Sequence, residues 1–211
     1  MWASAMRAIS RRTWQRSDRL SRVFDLLPIR KGHFRYESGH HSDTWIDLER
    51  LCLRPEPITR LAYELADRLT PYSIDAVCGP LVEGAFVALM VASRLQTAFT
   101  YAKRFDVGES EILYPVRYQI PRTLRDELRG KRVAIVNDVI SAGSAVRGTL
   151  ADLIQCGADT VVVASLAVLG SEFIEFAAAN RLPLETLTRM PNTIWPPSAC
   201  PMCAAGAPFS N

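Results

Sequence analysis

The chain changes its pattern of apolar and polar residues at about residue 74. From there on, short apolar runs alternate with longer segments in which apolar residues recur every three or four positions. The short runs predict strands and the periodic segments predict helices. The predicted strands are 74–78, 97–101, 132–137 and 160–168, and the predicted helices are 83–95, 144–156 and 171–180. Strands that alternate with helices are typical of a mostly parallel sheet flanked by helices, so this part predicts an α/β fold.

The segment before residue 74 lacks this regular alternation and predicts a helix, a pair of short strands and a second helix. Apolar residues at helical spacing predict a helix over residues 18–27, which Pro28 ends. Residues 33–48 predict two short strands joined by a turn, because polar turn-forming residues interrupt a β-prone run. Pro55 and Pro57 open a further helix that runs to about residue 69.

A long polar insertion separates the second and third predicted core strands. It runs from Lys103 to Lys131 and contains one β-prone run, residues 112–116. Loops of this length in compact domains are usually functional, so the insertion predicts a lid or hairpin over a site. A surface hairpin without a function is the alternative.

Length and charge narrow the classes of function. A chain of 211 residues with 48% hydrophobic and 22% charged residues fits one folded domain. The formal net charge of +3 is too small to predict a nucleic-acid-binding surface. No apolar run approaches the roughly 18 residues of a membrane span, and no secretory signal is apparent. We therefore expect no nucleic-acid or membrane partner and a cytoplasmic location.

The first twenty residues are rich in arginine and contain a single acid. The arginines are Arg7, Arg11, Arg12, Arg16 and Arg19, and the acid is Asp18. This composition resembles a transit peptide, and the alternative is a basic extension ahead of the first helix. We divide the chain into a basic extension over residues 1–20, one domain over 21–190 and a tail over 191–211.

The strongest chemical signal is a strand that ends in an acid and turns through small residues into a helix. Asp138 follows the apolar strand, and the turn after it contains Ser141, Ala142, Gly143, Ser144 and Ala145. Parallel strands deliver their carboxyl ends to the ligand-binding edge of an α/β sheet. Small residues let backbone N–H groups approach an anion, and the helix beginning near Ser144 adds its positive end. The turn therefore predicts a phosphate site.

Asp138 precedes this turn and is close enough to the predicted phosphate site to bind sugar hydroxyls or a metal. This combination favours a phosphorylated ribose as ligand. The structural alternative is that Asp138 only caps the helix and Gly143 only makes the turn. The stretch from Gly143 to Thr149 lacks the lysine of a Walker A loop, and no G-x-G-x-x-G follows a predicted strand.

The residues from Val136 to Ser144 resemble the phosphoribosyl pyrophosphate (PRPP) loop of type I phosphoribosyltransferases. Two further segments are similar to orotate phosphoribosyltransferases of that family and occur in the same order along the chain. They are a base-side segment with Phe34, Ser38, Gly39, Ser42, Trp45 and Asp47, and a pyrophosphate loop with Gly79, Pro80, Leu81, Val82, Glu83 and Gly84. The resemblance covers roughly residues 32–169.

This resemblance implies a fold and a reaction. The fold would be that of type I phosphoribosyltransferases, in which residues 21–55 form part of a hood over the base and a lid hairpin lies beside the cleft. The reaction would join the sugar phosphate of PRPP to a nitrogenous base, with orotate as the leading base. It would use Mg²⁺ bound with PRPP, and the enzyme would be a homodimer.

The resemblance also implies roles for individual residues. Asn137, Asp138 and residues 141–145 would bind PRPP, and residues 79–83 together with Lys103 would bind pyrophosphate. Asp138 and Lys103 would be catalytic, and Asp138 would meet Mg²⁺ indirectly or through the substrate. Phe34, Ser38 and Gly39 would lie on the side of the base.

The sequence departs from the family pattern at several places. Asn137 replaces the first of two acids, and Glu37 stands where a lysine precedes Ser-Gly. Residues 105–111 lack the lysine and histidine of the catalytic loop, and residues 169–171 lack the arginine that meets orotate. The candidates to replace these groups are His40, His41, Arg117 and Arg122. Two alternatives stay open: a phosphoribosyltransferase for another base, and a non-catalytic PRPP-binding regulator.

The five cysteines lack the spacing of a secreted disulfide framework, so we expect reduced thiols. They are Cys52, Cys78, Cys156, Cys200 and Cys203. Cys200 and Cys203 form a C-x-x-C pair, which supplies two of the four ligands of a tetrahedral structural zinc. The other two would come from a dimer partner or from histidines, and a plain pair of thiols is the alternative.

Overall fold

The computed structural model describes residue 23, residues 29–106, residues 113 and 114, and residues 116–210. The predicted basic extension over 1–20 lies outside these residues. Most of the helix predicted over 18–27 and most of the altered loop over 105–111 lie outside them as well. Within the described ranges, every helix is too short or too polar to cross a bilayer.

An antiparallel hairpin of β1 (Ile29–Arg35) and β2 (His41–Ile46) opens the described part of the chain. It matches the two short strands predicted over 33–48. Residues 36–40 form the turn between the strands, where the Tyr36 backbone N–H donates to the carbonyl of His40 at 2.8 Å. Gly39 has a φ of +82°, a left-handed conformation that glycine adopts without steric cost.

Six strands form the central sheet in the order β5-β4-β3-β6-β7-β8. Their bounds are β3 (Ala76–Pro80), β4 (Ala98–Asp106), β5 (Val116–Gln119), β6 (Arg132–Ile140), β7 (Asp159–Leu169) and β8 (Leu184–Met190). All neighbouring pairs are parallel except β4 and β5, which form an antiparallel hairpin at one edge. The predicted mostly parallel sheet is therefore confirmed, and β8 is a strand that the apolar pattern did not predict.

Helices cover both faces of this sheet, as the alternating pattern predicted. They are α1 (Pro55–Leu69), α2 (Glu83–Leu95), α3 (Arg122–Arg125), α4 (Ser144–Cys156), α5 (Glu172–Ala179) and α6 (Pro201–Ala204). Short 3-10 helices occupy Leu48–Leu53, Thr70–Tyr72, Asp126–Leu128 and Pro197–Ala199. The predicted bounds of α2 and α4 agree with the structure at both ends.

The strand β6 divides the core into two layers. Ala134 and Val136 pack in one cluster with residues of α1 and α2, whereas Val133 and Ile135 pack in the other with residues of α4 and α5. This alternation follows from the two-residue period of a strand, which sends neighbouring side chains to opposite faces. Apolar side chains thus hold β6 at the centre of the sheet and fix the position of its carboxyl end.

The tail completes a second, smaller sheet with the order β1-β2-β9, where β9 is Ile194–Trp195. His41 pairs with Trp195 and Ser42 with Ile194 in the antiparallel register. We call β1, β2 and β9 the hood sheet. The described part of the tail, up to residue 210, therefore packs on the hairpin of β1 and β2, which the sequence did not predict.

Candidate active site

A cavity of about 890 Å³ opens between the carboxyl edge of the central sheet and the hood sheet. Volumes of roughly 300–1,000 Å³ are typical of small-molecule sites. Its walls on the sheet side include Pro80, Leu81, Val82, Glu83, Gly84, Lys103, Arg104, Tyr118, residues 137–145 and Leu169. Its walls on the hood side include Arg30, Tyr36, Glu37, Ser38 and residues 45–49. The structure thus brings most of the predicted site residues to one hollow.

The turn between β6 and α4 forms the floor of this cavity. Gly143 has a φ of +81°, and a Cβ there would overlap the ring of Phe173, which is fully buried. Only glycine satisfies both the left-handed backbone and the close approach. Arg147 Nε donates to the carbonyl of Ala142 at 3.0 Å, which holds the turn from the far side.

The first turn of α4 offers backbone N–H groups to the cavity. The helix begins at Ser144, and no side chain in the described part of the chain caps its amino end. The first four N–H groups of a helix have no partner inside the helix, and the helix dipole makes this end positive. An anion is therefore the chemical complement of residues 141–145.

Two buried polar atoms on the cavity wall lack a hydrogen-bond partner among the residues that the structure describes. Asp138 Oδ2 and Ser141 Oγ make no hydrogen bond to any described residue. Buried polar groups are rarely left unpaired, because each unsatisfied atom costs free energy. A carboxylate oxygen can accept hydrogen bonds from sugar hydroxyls, and a serine hydroxyl can donate to a phosphate oxygen, so these two groups fit a sugar phosphate.

The carboxyl group of Asp138 is electrostatically unusual. Burial raises its pKa to about 7, and the negative charge of Glu83 adds to the rise. Hydrogen bonds from the backbone N–H groups of Val139 and Asp138 itself act in the opposite direction. A cation or a metal-bound substrate would favour the ionised form, so binding of positive charge in the cavity would lower the pKa of Asp138.

Asn137, the residue before Asp138, makes a hydrogen bond within the protein through its side chain. Its Nδ2 donates to the carbonyl of Val139 at 2.9 Å. A Cβ at Gly84 would overlap its Oδ1, so Gly84 allows the first turn of α2 to pack against this amide. Asn137 therefore connects β6 to the start of α2 as well as lining the cavity.

The end of β3, the loop after it and the start of α2 line the cavity with Pro80, Leu81 and Glu83, whereas Gly79 is not part of the cavity wall. A Cβ at Gly79 would meet the Cα of Ala85 at 2.6 Å, so this glycine allows close packing of strand and helix. The peptide bond between Leu81 and Val82 is cis.

On the neighbouring strand β4, Lys103 lines the cavity with an exposed side chain. Its Nζ lies 5.9 Å from the ring centroid of Tyr101. The next residue, Arg104, is within 3.3 Å of the Glu37 carboxylate, which also accepts a hydrogen bond from Tyr118 at 3.1 Å. Glu37 stands where the family pattern has a lysine. Its carboxylate thus joins the Arg104 guanidinium and the Tyr118 hydroxyl at the cavity wall.

The hood contributes residues that the sequence analysis missed. Arg30 and Tyr36 line the cavity, and the Arg30 guanidinium lies 5.6 Å from the ring centroid of Phe34. Arg30 is opposite Trp45 in the hairpin register, so the cross-strand pattern was the signal that could have identified it. Of the predicted base-side residues, Ser38 lines the cavity, whereas Phe34 and Gly39 are not part of its wall.

Comparison with known sequences decides the family. The sequence model described as "Phosphoribosyl transferase domain" matches residues 53–176, more than half of the chain. The chain belongs to this family. It is a type I phosphoribosyltransferase domain, and members of the family use PRPP and a base as substrates. The predicted fold and family resemblance are confirmed.

Individual relatives agree with this assignment. The chain is 26% identical over 194 residues to "Orotate phosphoribosyltransferase" of Caldanaerobacter subterraneus, which covers 91% of this chain and 94% of the relative. Among solved structures, it is similar to an orotate phosphoribosyltransferase from Aeropyrum pernix, with a TM-score of 0.58, 23% identity and coverage of 76% and 87%. An adenine phosphoribosyltransferase from Trypanosoma brucei, in complex with AMP, pyrophosphate and ribose-5-phosphate, gives a TM-score of 0.64, 17% identity and coverage of 81% and 79%.

The phosphoribosyltransferase family implies Mg²⁺ bound with PRPP, and the residues present fit such an ion. Hard cations prefer oxygen ligands, and Mg²⁺ is commonly bound by one or two carboxylates together with substrate phosphates. Asp138 has an unpartnered carboxylate oxygen, and Glu83 lies on the same wall. These two side chains are the ones that would meet the metal–substrate complex.

Several predicted residues lie outside the phosphoribosyltransferase cavity. The four suggested substitutes for the missing family residues, His40, His41, Arg117 and Arg122, are absent from its wall. The C-x-x-C pair is also elsewhere, because Cys200 and Cys203 lie beside His33 and His41 on the hood sheet.

Proposed function

We propose that this protein transfers the 5-phosphoribosyl group of PRPP to a ring nitrogen of a base, with orotate as the leading acceptor. The observation that carries the proposal is the turn between β6 and α4. It presents helix N–H groups beside Asp138 Oδ2, and no described side chain caps these groups or pairs with this oxygen. Backbone N–H groups suit the 5′-phosphate, and a carboxylate suits the ribose hydroxyls. Both lie in one cavity with space for a base under the hood sheet.

The proposed reaction breaks the bond between C1′ and the pyrophosphate oxygen and forms a bond between C1′ and the base nitrogen. Positive charge develops on the sugar in an oxocarbenium-like transition state, and the Asp138 carboxylate stabilises that charge. Residues 80–83 and Lys103 hold the departing pyrophosphate. Mg²⁺ bound with PRPP supplies further positive charge against the leaving group. Asn137 adds an amide without charge, so Asp138 carries the electrostatic role alone.

Orotate is favoured by the positive side chains around the base end of the cavity. Arg30 lines the hood side of the cavity and Arg104 lines the sheet side, and orotate carries a carboxylate that guanidinium groups recognise. Relatives named as orotate phosphoribosyltransferases match over most of the chain. Arg30 would replace the arginine that is missing after β7.

A neutral base is the second candidate acceptor. Glu37 brings a carboxylate to the cavity wall where the resembling enzymes carry a lysine, and it neutralises Arg104 at 3.3 Å. A carboxylate accepts hydrogen bonds from ring or exocyclic N–H groups of a base. This geometry suits a base without a carboxylate.

A pyrophosphate-release assay with purified protein, Mg²⁺, PRPP and a panel of bases distinguishes the candidates. We expect release with orotate and formation of orotidine 5′-monophosphate. Turnover of uracil or a purine without turnover of orotate would reassign the acceptor. PRPP binding by calorimetry with no turnover on any base would replace the enzyme proposal by a regulatory one.

Arg30→Ala is expected to raise the KM for orotate by about tenfold or more, because a hydrogen bond to a charged group contributes roughly 1.5–3 kcal/mol. The KM for PRPP should change little, since Arg30 lies on the hood side of the cavity. Steady-state kinetics with each substrate varied in turn measure this. Arg35→Ala removes an exposed arginine of the same strand outside the cavity and is the matched control. Equal orotate KM values for both variants would contradict the role of Arg30.

Lys103→Ala is expected to lower kcat/KM for PRPP by about tenfold to a hundredfold, since the lysine would offset charge on the departing pyrophosphate. Lys103→Arg should recover part of the loss because it keeps the positive charge. The control is Lys131→Ala, an exposed lysine just before β6 at the opposite edge of the sheet. A Lys103→Ala enzyme as active as the control would remove Lys103 from the mechanism.

We also propose a division of the chain into segments, a homodimer and a cytosolic location. Residues 21–190 form the catalytic domain after a basic extension over 1–20, and the tail over 191–211 completes the hood. Exposed apolar side chains on and beside α2, Val82, Phe86 and Leu89, are available to a second copy in a homodimer. The five free cysteines fit the reducing cytosol in which we expect the enzyme to act.

A further inference from the structure

Four metal-binding side chains meet outside the catalytic cavity. They are His33 of β1, His41 of β2, Cys200 and Cys203, and their ligand atoms all lie within 4.8 Å of one another. The histidines and the cysteines are about 160 residues or more apart in sequence, and the fold alone brings them together. We call this group the His2Cys2 cluster.

The spacing of the ligand atoms fits a tetrahedron around one metal ion. For zinc, with Zn–N near 2.05 Å and Zn–S near 2.3 Å, a tetrahedron has edges of roughly 3.3 Å between nitrogens and roughly 3.6 Å between nitrogen and sulfur. The His33 Nε2 and His41 Nδ1 atoms are 3.3 Å apart. The nitrogen–sulfur distances are 3.5, 3.7 and 3.2 Å. Four of the six edges are thus near the values that zinc requires.

The surroundings of His33 prepare it for metal binding. Its Nδ1 lies 2.8 Å from the carbonyl oxygen of Ala207, which can only accept a hydrogen bond. The ring proton therefore belongs to Nδ1, and Nε2 presents its lone pair to the cluster. A backbone carbonyl that orients a ligating histidine in this way is a common outer-shell partner of zinc.

The end of the tail folds back so that the Ala207 carbonyl reaches His33. Gly206 has a φ of +67°, and the turn there brings residues 207–210 back over the hood sheet. Phe209 stacks on the His33 ring with centroids 4.2 Å apart and meets the His41 ring edge-on at 4.9 Å. Ser210 exchanges hydrogen bonds with the backbone of His33 at 3.1 and 2.8 Å. The chain thus surrounds the cluster on the side of His33.

We propose that the His2Cys2 cluster binds one structural Zn²⁺ that fastens the tail to the hood sheet. The two thiols lose their protons to solvent on binding, and both imidazoles are neutral. Two thiolates balance the charge of Zn²⁺, so the site is uncharged overall, which suits a place where three of the four ligands are buried. All four positions are filled by protein, as in structural rather than catalytic zinc sites.

The zinc site also supports base binding, and this part rests on the proposed function. His33 and His41 lie on the strands that carry Arg30 and Trp45 to the cavity wall. Loss of the metal would release the tail and loosen this hairpin while leaving the turn after β6 in place. We expect metal removal to raise the KM for the base more than the KM for PRPP.

Metal analysis of the full chain, purified from zinc-supplemented cells without chelators, tests the site itself. We expect about one equivalent of zinc per chain by plasma mass spectrometry. Cobalt exchanged into the wild-type chain should give the intense visible spectrum and the thiolate charge-transfer band of a tetrahedral Co²⁺ site. A chain that binds neither zinc nor cobalt, or a Cys200–Cys203 disulfide found by mass spectrometry in the purified protein, would overturn the proposal.

Ligand variants locate the metal. Cys203→Ser and His33→Ala are expected to bind zinc more than about a hundredfold more weakly, beyond the cost of losing an outer-shell partner. Cys52→Ser removes a half-buried cysteine outside the cluster and should keep the metal. Zinc retained by a Cys200→Ser, Cys203→Ser double variant would place the ion elsewhere. If a variant fails to fold, the cobalt spectrum of the wild-type chain still decides, because it needs no substitution.

Discussion

Asp138→Asn is expected to lower kcat/KM for PRPP by about a hundredfold or more, the range found when one transition-state-stabilising group is removed. The substitution keeps the size of the side chain and an oxygen that can accept from the Val139 N–H, but it removes the negative charge. Because Asn137 supplies no charge, no second acid at the end of β6 compensates. Steady-state kinetics with saturating base and Mg²⁺ measure the loss.

The pH dependence follows from the pKa of Asp138, which burial raises to about 7. The ionised form is the active one, so kcat/KM for PRPP should rise as the pH increases through about 7, and the Asp138→Asn variant should lose this dependence. Folding responds in the opposite direction. The unfolded carboxyl ionises near pH 4, so the unfolded state binds fewer protons between about pH 4 and 7, and stability falls as pH rises across that window.

The stability of the variant separates catalysis from folding. Above pH 7 the wild-type protein contains a buried ionised carboxylate, whereas Asp138→Asn does not, so the variant's Tm at pH 8 should equal or exceed the wild-type value. Asp159→Asn, which changes an exposed acid at the start of β7, is the control and should keep full activity. An active Asp138→Asn enzyme, or one whose Tm at pH 8 drops sharply, would contradict this account of Asp138.

Gly143→Ala is expected to weaken PRPP binding by at least about tenfold, a loss of roughly 1.4 kcal/mol. Alanine at a φ of +81° costs roughly 1–2 kcal/mol, and its Cβ would overlap the Phe173 ring. Phe173 is fully buried, so moving its ring would disturb the core, and we expect the turn to shift instead. The N–H groups of residues 141–145 would then leave the positions that suit a phosphate. Calorimetric titration with PRPP and Mg²⁺ measures the effect.

Gly130→Ala provides the matched control for backbone strain. Gly130 also has a left-handed φ, +69°, but no atom of the described residues lies within 4 Å of a Cβ placed there, and Gly130 is outside the cavity wall. We expect this variant to lose stability to a similar degree from the φ alone and to bind PRPP like the wild type. If both variants bind PRPP with wild-type affinity, the turn at Gly143 is not the phosphate site.

The sequence predicted those parts of the molecule that local patterns specify. The bounds of α2 and α4 agreed with the structure because apolar periodicity and small residues mark them directly. The turn after β6 was recognisable because Asp138, which suits sugar or metal chemistry, and Gly143, which suits a left-handed backbone, lie only five residues apart. The strand β8 was missed because it is a sheet edge with polar residues such as Thr186 and Arg189, and its apolar signal is weak.

Contacts between segments that are distant in sequence could not be predicted. The C-x-x-C pair indicated half of the His2Cys2 cluster, but His33 lies 167 residues from Cys200, and only the packing of the tail on the hood sheet joins them. Arg30 reaches the cavity because of the hairpin register. The raised pKa of Asp138 depends on its burial, which no local pattern shows.

A crystal structure of the protein with Mg²⁺ and PRPP tests the central claim most directly. We predict the 5′-phosphate within hydrogen-bonding distance of the backbone N–H groups of residues 141–145, with a ribose hydroxyl paired to Asp138 Oδ2. PRPP bound elsewhere in the cavity, with this turn making no phosphate contact, would contradict the account.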